Sequence, residues 1–290
     1  MCRLLTFLII LGLLSGCFEA DEPTATQTVL PENISGPELS PELSPDIPTP
    51  AETDRQIVLV ADPWCPHNCA VDAPQEGYMV DIAREALAMG GYTLKYRNIS
   101  WARALRMTRQ GKVHGVVGAF RTDAPDFVFP EVAQGRASIG LYTRPDSDWR
   151  YAGIASLETQ NLLAINGYSY TAELDAYIDK NRENRERIWI LSGPAPLERA
   201  LSLLEKQRGD LFAEDDYVMD WAIRNNPEID RPRRAGQVGE TLSYVAFSPA
   251  LSNSEELARL LSEGTRTLID NGRMNAILNS YGLSAMPEAP

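Results

Sequence analysis

The sequence predicts an α/β protein, because short apolar strands alternate with amphipathic helices from residue 55 to residue 284. Two further observations support that class. The helical stretches close at glycines such as Gly90, Gly111, Gly209, Gly272 and Gly282, as helix ends favour. The body that holds them runs to about 235 residues, enough for one large domain or two lobes.

The elements follow in order. Gln56–Ala61 is a short apolar run that reads as a buried strand, and Val80–Gly91 is an amphipathic helix stopped by glycine. Tyr92–Arg97 alternates like a strand, Ser100 caps a helix through Arg109, and Val113–Ala119 is a glycine-interrupted strand. A second series begins with a strand at Leu162–Ile165 and a turn at 166–170 that opens a helix. Ile188–Leu191 is a strand, and Ser192 caps a helix ending at Gly209. Asp210–Ala213 is short and apolar, and Asp215 stands where a helix with Tyr217, Val218 and Trp221 begins. Thr241–Ser248 alternates as a strand, Asn253 and Glu256 form a capping box, and a last helix carries Met274, Ile277, Leu278 and Tyr281. Alternation of this kind implies mostly parallel sheets, whose sites lie beyond the carboxyl ends of the strands. The segments that fall there are 62–69, 119–123, 166–170 and 214–217.

Ahead of this body the chain has a different character. Arg3 precedes an apolar run from Leu4 to Leu14, the length of a signal-peptide core and too short for a membrane span. Leu14-Ser-Gly-Cys17 looks like a bacterial lipobox, so residues 1–16 are expected to be removed and Cys17 to carry lipid. Residues 18–54 contain seven prolines, nine acidic residues and no Lys or Arg, with Pro-Glu-Leu-Ser at 37–40 and again at 41–44. Such a stretch, 17–54 with the anchor, is expected to be an extended disordered tether. No aspartate follows Cys17, which in a Gram-negative cell favours the outer membrane. Taking the +1 of Arg3 and the −9 of the spacer out of the total of −13 leaves −5 for residues 55–290. A mildly acidic body without a basic stripe argues against nucleic acid as a partner.

Cys65 and Cys69 remain in Asp62-Pro-Trp-Cys-Pro-His-Asn-Cys69, and export predicts a disulfide between them. A metal site on Cys65, His67 and Cys69 is the rival, but three ligands on so tight a loop fit a tetrahedral ion poorly. No metal and no cofactor is expected.

The order of motifs resembles the family 3 extracellular solute-binding proteins. The residues that carry the resemblance are Gly77-Tyr-Met-Val-Asp-Ile-Ala83, Trp101-Ala-Arg-Ala-Leu105, Gln110–Gly118, Phe127-Val-Phe-Pro130, Gly209–Asp215 and Asn271–Gly282. The resemblance implies a two-lobed periplasmic-binding-protein type II fold, each lobe a mixed, mostly parallel sheet flanked by helices. Lobe 1 would be residues 55–137 and 243–290, lobe 2 would be 138–242, and two hinge strands would cross near 137–143 and 238–243. It implies a monomer in the periplasm that captures a small polar, anionic or amino-acid-like ligand between the lobes. The partner would be an ABC permease or a membrane sensor, and the membrane would be reached through the lipid on Cys17.

The resemblance also carries residues over. Trp64 matches an aromatic after the first strand, and Trp101 the aromatic that covers the ligand. Asp215 matches the position that pairs with a ligand ammonium, although a plain helix N-cap accounts for it too. Gly167, Tyr168 and Ser169 match a turn that contacts a ligand carboxylate, as backbone amides can. Amino-acid binders of this type carry Thr-x-x-Arg, whose arginine pairs with the α-carboxylate. Here the segment is Gly118-Ala-Phe-Arg-Thr-Asp-Ala-Pro-Asp126, without that arginine. Arg121 and Arg103 are the substitutes to consider, with Thr122 beside the first. Two alternatives stand beside the binder: a dehydratase-type cleft enzyme using Glu131 or Glu214, and an envelope interaction protein whose cleft is filled by its own side chains.

Overall fold

The computed structural model describes residues 55–193 and 195–284; the signal segment, Cys17 and the spacer lie outside the described residues. Strands β1 (Gln56–Ala61), β2 (Thr93–Asn98) and β3 (Gly115–Ala119) form one half of a sheet, with β1 parallel to both neighbours. The two faces of β1 enter different cores, Ile57, Leu59 and Ala61 on one side and Val58 and Val60 on the other, which is why it reads as a continuous apolar run. Strands β4 (Gly135–Thr143), β5 (Leu162–Ile165), β6 (Ile188–Leu191) and β7 (Leu211–Asp215) form the other half. Strand β8 (Arg233–Phe247) belongs to both: residues 233–243 pair antiparallel with β4, and 244–247 with β3. The resulting order is β2-β1-β3-β8-β4-β7-β5-β6. The fold is therefore α/β with two lobes, and the two expected crossings lie within β4 and β8.

Helices α1 (Tyr78–Met89), α2 (Trp101–Arg109), α6 (Ser254–Asp270) and α7 (Arg273–Ser280) belong to the first lobe, so the chain ends where it began. Helices α3 (Ala172–Asn181), α4 (Pro196–Glu205) and α5 (Asp216–Asn225) belong to the second. The first core gathers Ile57, Leu59, Met79, Ile82, Leu87, Phe247 and Leu261 on the α1 face. The second gathers Ile139, Leu141, Leu162, Ile188 and Leu211, and Trp64 and Phe120 of the first lobe reach into it.

Three local expectations need correction. Strand β8 starts at Arg233, not 241, because its first half is polar and is held by β4 rather than by burial. Ser192 does not cap α4; Ala195 takes the N-cap position in a left-handed conformation, and Pro196 opens the helix. Asn253 sits at the N-cap of α6, but its side chain makes no capping hydrogen bond.

Helices α1 and α6 touch at Gly264, where an added Cβ would lie 2.6 Å from both Cα and Cβ of Ala86. Neither atom can swing aside. Alanine at 264 gains roughly 1 kcal/mol of helix propensity, but overpacking costs about 1–3 kcal/mol. Gly264→Ala is therefore expected to lower the melting temperature by a few degrees, measured by circular dichroism. A rise would mean that the α1–α6 contact is looser than described.

Candidate functional site

The four segments singled out at the strand ends converge between the lobes. The loop after β1 is closed on itself, with Trp64 N donating to Asn68 O at 2.6 Å and Asn68 N to Trp64 O at 3.1 Å. Cys65 and Cys69 are bonded across it, with Cα atoms 4.6 Å apart. Gly77, the residue before α1, has φ 113°, and a Cβ there would run into the backbone of His67 and Asn68. The loop thus lies flat on the start of α1. Its Trp64 ring stacks on His67 at 4.0 Å between centroids and meets the Phe120 ring edge-on at 6.0 Å.

Four side-chain hydrogen bonds cross from lobe to lobe at this seam. Trp64 Nε1 donates to Glu214 Oε1 at 2.9 Å, and Tyr168 Oη to Asp62 Oδ2 at 2.7 Å. Ser169 N donates to Asp123 Oδ1 at 3.2 Å, and His67 Nε2 meets Asp215 Oδ1 at 3.0 Å. The cleft is closed. What is left between its walls is a cavity of about 30 Å³, bounded by Asp62, Trp64, Asn68, Trp101, Tyr168 and Glu214 among others. A site of that size holds a water-sized group.

Burial governs the charges. Desolvation pushes the Asp62 carboxyl up to about 6, against the Tyr168 hydroxyl bond that lowers it. Asp123 is pushed up to about 7 by burial, opposed by the amides of Phe120 and Ser169. Glu214 reaches about 8, raised first by burial and then by the nearby Asp215 and Asp62 charges, despite its bonds from Trp64 and the Asp215 amide. Among the described residues none of the three is in an ion pair.

The sequence-predicted site residues divide into two groups. Trp64, Trp101, Tyr168 and Ser169 all line the cavity. Gly167 packs its turn against Ala102 of α2, 3.3 Å from where its Cβ would be, and so helps hold the lobes together. Asp215 lies behind the wall: Oδ1 accepts from Val218 N at 3.0 Å as the N-cap of α5, and Oδ2 accepts from Ser138 N at 2.7 Å. Arg121 turns outward, its guanidinium 4.9 Å from the Phe129 ring centroid and 4.8 Å from that of Tyr244. Thr122 lies beside it in an outer groove with Arg136 and Glu240, and Arg103 is exposed on α2. Of the two glutamates considered for acid–base work, Glu214 faces the cavity, whereas Glu131 is exposed and pairs with Arg266 at 2.6 Å.

Sequence reasoning passed over Asp62, Asn68 and Asp123 as site residues, and it gave His67 only a metal role. Within reach of the carboxyl ends of β1, β3 and β7 stand Asp62, Asp123 and Glu214 respectively. Acidic side chains at or just beyond strand ends were the available signal.

The sequence matches no protein-family model and no curated protein. Its fold, by contrast, is shared with many solved structures. A histidine kinase sensor domain with similarity to periplasmic binding proteins is 20% identical, covering 81% of this chain and 100% of that one, with a TM-score of 0.65. A putative L-cystine ABC transporter from Listeria monocytogenes is 16% identical over 80% of this chain and 98% of its own, also at 0.65. ArgBP from T. maritima is 15% identical over 80% and 96%, at 0.64. With a mixed sheet whose two halves share β8 and a closed cleft at the strand ends, the chain has the two-lobed fold of periplasmic binding proteins.

Proposed function

We propose that this chain is a solute-binding protein that closes its two lobes around a small polar ligand, tethered to a membrane through lipid on Cys17. The observation that carries this reading is the seam: four hydrogen bonds join opposite lobes around one cavity with aromatic and acidic walls. Hinged closure of that kind couples binding to shape. The lobes are 55–137 with 243–290 and 138–242, and the moving parts meet at β4 and β8. The exported chain would hand its ligand to an ABC permease or report it to a sensor, and similar folds occur in both settings.

The test is calorimetry and thermal melting of the full chain in detergent, against amino acids, amines, organic acids and small peptides. A ligand present at a hundredfold its Kd should stabilise by about 2.7 kcal/mol, raising Tm by about 5–10 °C for a body of this size. No response across the panel would overturn the proposal. That outcome would favour the second reading, an interaction protein whose cleft is filled by its own side chains, to which the cavity of only about 30 Å³ lends weight.

A further inference from the structure

The walls of the cavity are unequal in hydrogen-bonding character. Asp62, Asp123 and Glu214 place three carboxyl groups on it, and among the described residues no Lys, Arg or His lines it. Asn68 adds a fourth acceptor. The residue is 1% exposed, its Nδ2 donates to Asp62 O at 2.6 Å, and its Oδ1 has no partner among the described residues. The bond from Nδ2 fixes which way the amide points, since a flip would set two oxygens face to face. A buried acceptor left without a donor costs about 1–3 kcal/mol, so this oxygen calls for a donor from outside the chain.

The backbone donors that would welcome an anion are already used. Phe120 N, in the first lobe, donates to Asp123 Oδ2 at 2.6 Å, and Ser169 N, in the second, donates to Asp123 Oδ1. The chain's own carboxylate therefore stands between the two amides that face each other across the cleft. A ligand carboxylate would find those amides occupied and three acidic groups around it. Trp64, Trp101, Phe120 and Tyr168 complete the walls with aromatic rings, whose faces attract cations.

We infer that the cleft selects the protonated nitrogen of an amine or guanidine that carries no carboxylate, with Asp62, Glu214 and Asn68 Oδ1 as its acceptors and Asp123 excluding the acid group. This inference rests on the solute-binding reading and names the ligand class for that same site.

The experiment compares pairs that differ by one carboxylate: agmatine with arginine, and cadaverine with lysine, each titrated into the full chain by calorimetry. The expected result is at least tenfold tighter binding of the amine in one pair. Glu214→Gln, which keeps the acceptor for Trp64, should weaken that amine at least tenfold. Asp123→Ala frees the two amides and should shift the ratio toward the amino acid by tenfold or more, with a melting curve confirming that the variant is folded. Equal or tighter binding of the amino acids by the unaltered chain, or binding of succinate or glutamate alone, would overturn the amine assignment and leave the solute-binding reading standing. Silence from amines, amino acids and acids alike would overturn both.

Discussion

Replacing Asp215 with alanine is expected to destabilise the protein by about 3–5 kcal/mol, because it strips partners from several buried groups at about 1–3 kcal/mol each. The side chain is fully buried and joins three separate elements. Its Oδ1 caps α5 through Val218 N, a bond worth roughly 0.5–2 kcal/mol by itself. Its Oδ2 takes the amide of Ser138 on β4, which would become an orphan. The largest loss falls on His67, also fully buried, which is held between Asp215 and the Tyr78 hydroxyl at 2.6 Å. With the carboxylate gone, that imidazole faces the first-lobe hydroxyl alone. Asp215→Asn keeps the cap and should lose less. Urea unfolding measures both, and a loss under about 1 kcal/mol for the alanine variant would show that this hub is not holding the seam.

The second large effect is a stability that falls as pH rises. Asp62, Asp123 and Glu214 all hold their protons more tightly folded than unfolded, with values of about 6, 7 and 8. A group raised in this way contributes stability that is complete below its unfolded value, near 4, and is lost as pH climbs through its folded value. Asp175, half-buried and pushed up to about 6 by desolvation, acts in the same sense outside the cleft. The lowered groups act in a different window. Asp126 and Asp216 are lowered, so their contributions are lost only on acidification below about 4. His114, half-buried and accepting from Val58 N at 3.0 Å, is lowered by desolvation and destabilises as pH falls below about 6.5. Between about pH 6.5 and 8.5, then, the cleft carboxyls dominate, and the ligand-free chain should lose on the order of 3 kcal/mol. Glu214→Gln should flatten that slope and be more stable than the unaltered chain at pH 8.5. Melting temperatures that are flat or rise with pH over this interval would contradict the burial described for the three groups.

Much of the fold is legible in the residues, and the reasons are specific. Leu162–Ile165 and Ile188–Leu191 are read to the residue because each is a short apolar run bounded by polar segments. The four strand-end loops converge as parallel topology requires. The first half of β8 escapes because Arg233–Glu240 carries little apolar patterning and owes its strand form to β4, remote in sequence. At the site, orientation rather than location is what the residues withhold. Glu214 and Asp215 are neighbours on β7, so they face opposite ways, and a sequence does not say which faces the cleft. The loop after β3 poses the same problem. Asp123 turns inward because Phe120 N captures its carboxylate, while Asp123 N donates to Phe120 O at 3.1 Å. That small ring sends Arg121 outward onto Phe129 and Tyr244.

Strand β8 has a mechanical consequence. Its 15 residues make a ribbon of roughly 50 Å at about 3.3 Å per residue, and both lobes hang from it. Under the solute-binding reading proposed above, swinging them apart would twist the β4–β8 ladder, and these two strands would work as a torsion bar. The work of opening would then fall on the seam of side chains, where the proposed ligand would act. The register of that ladder shifts at Ile139/Gly140 and Leu141/Tyr142, where the bar would yield first, and Ile139 pairs directly with Asp215. Where the ribbon yields, it yields beside the carboxylate that ties the lobes together.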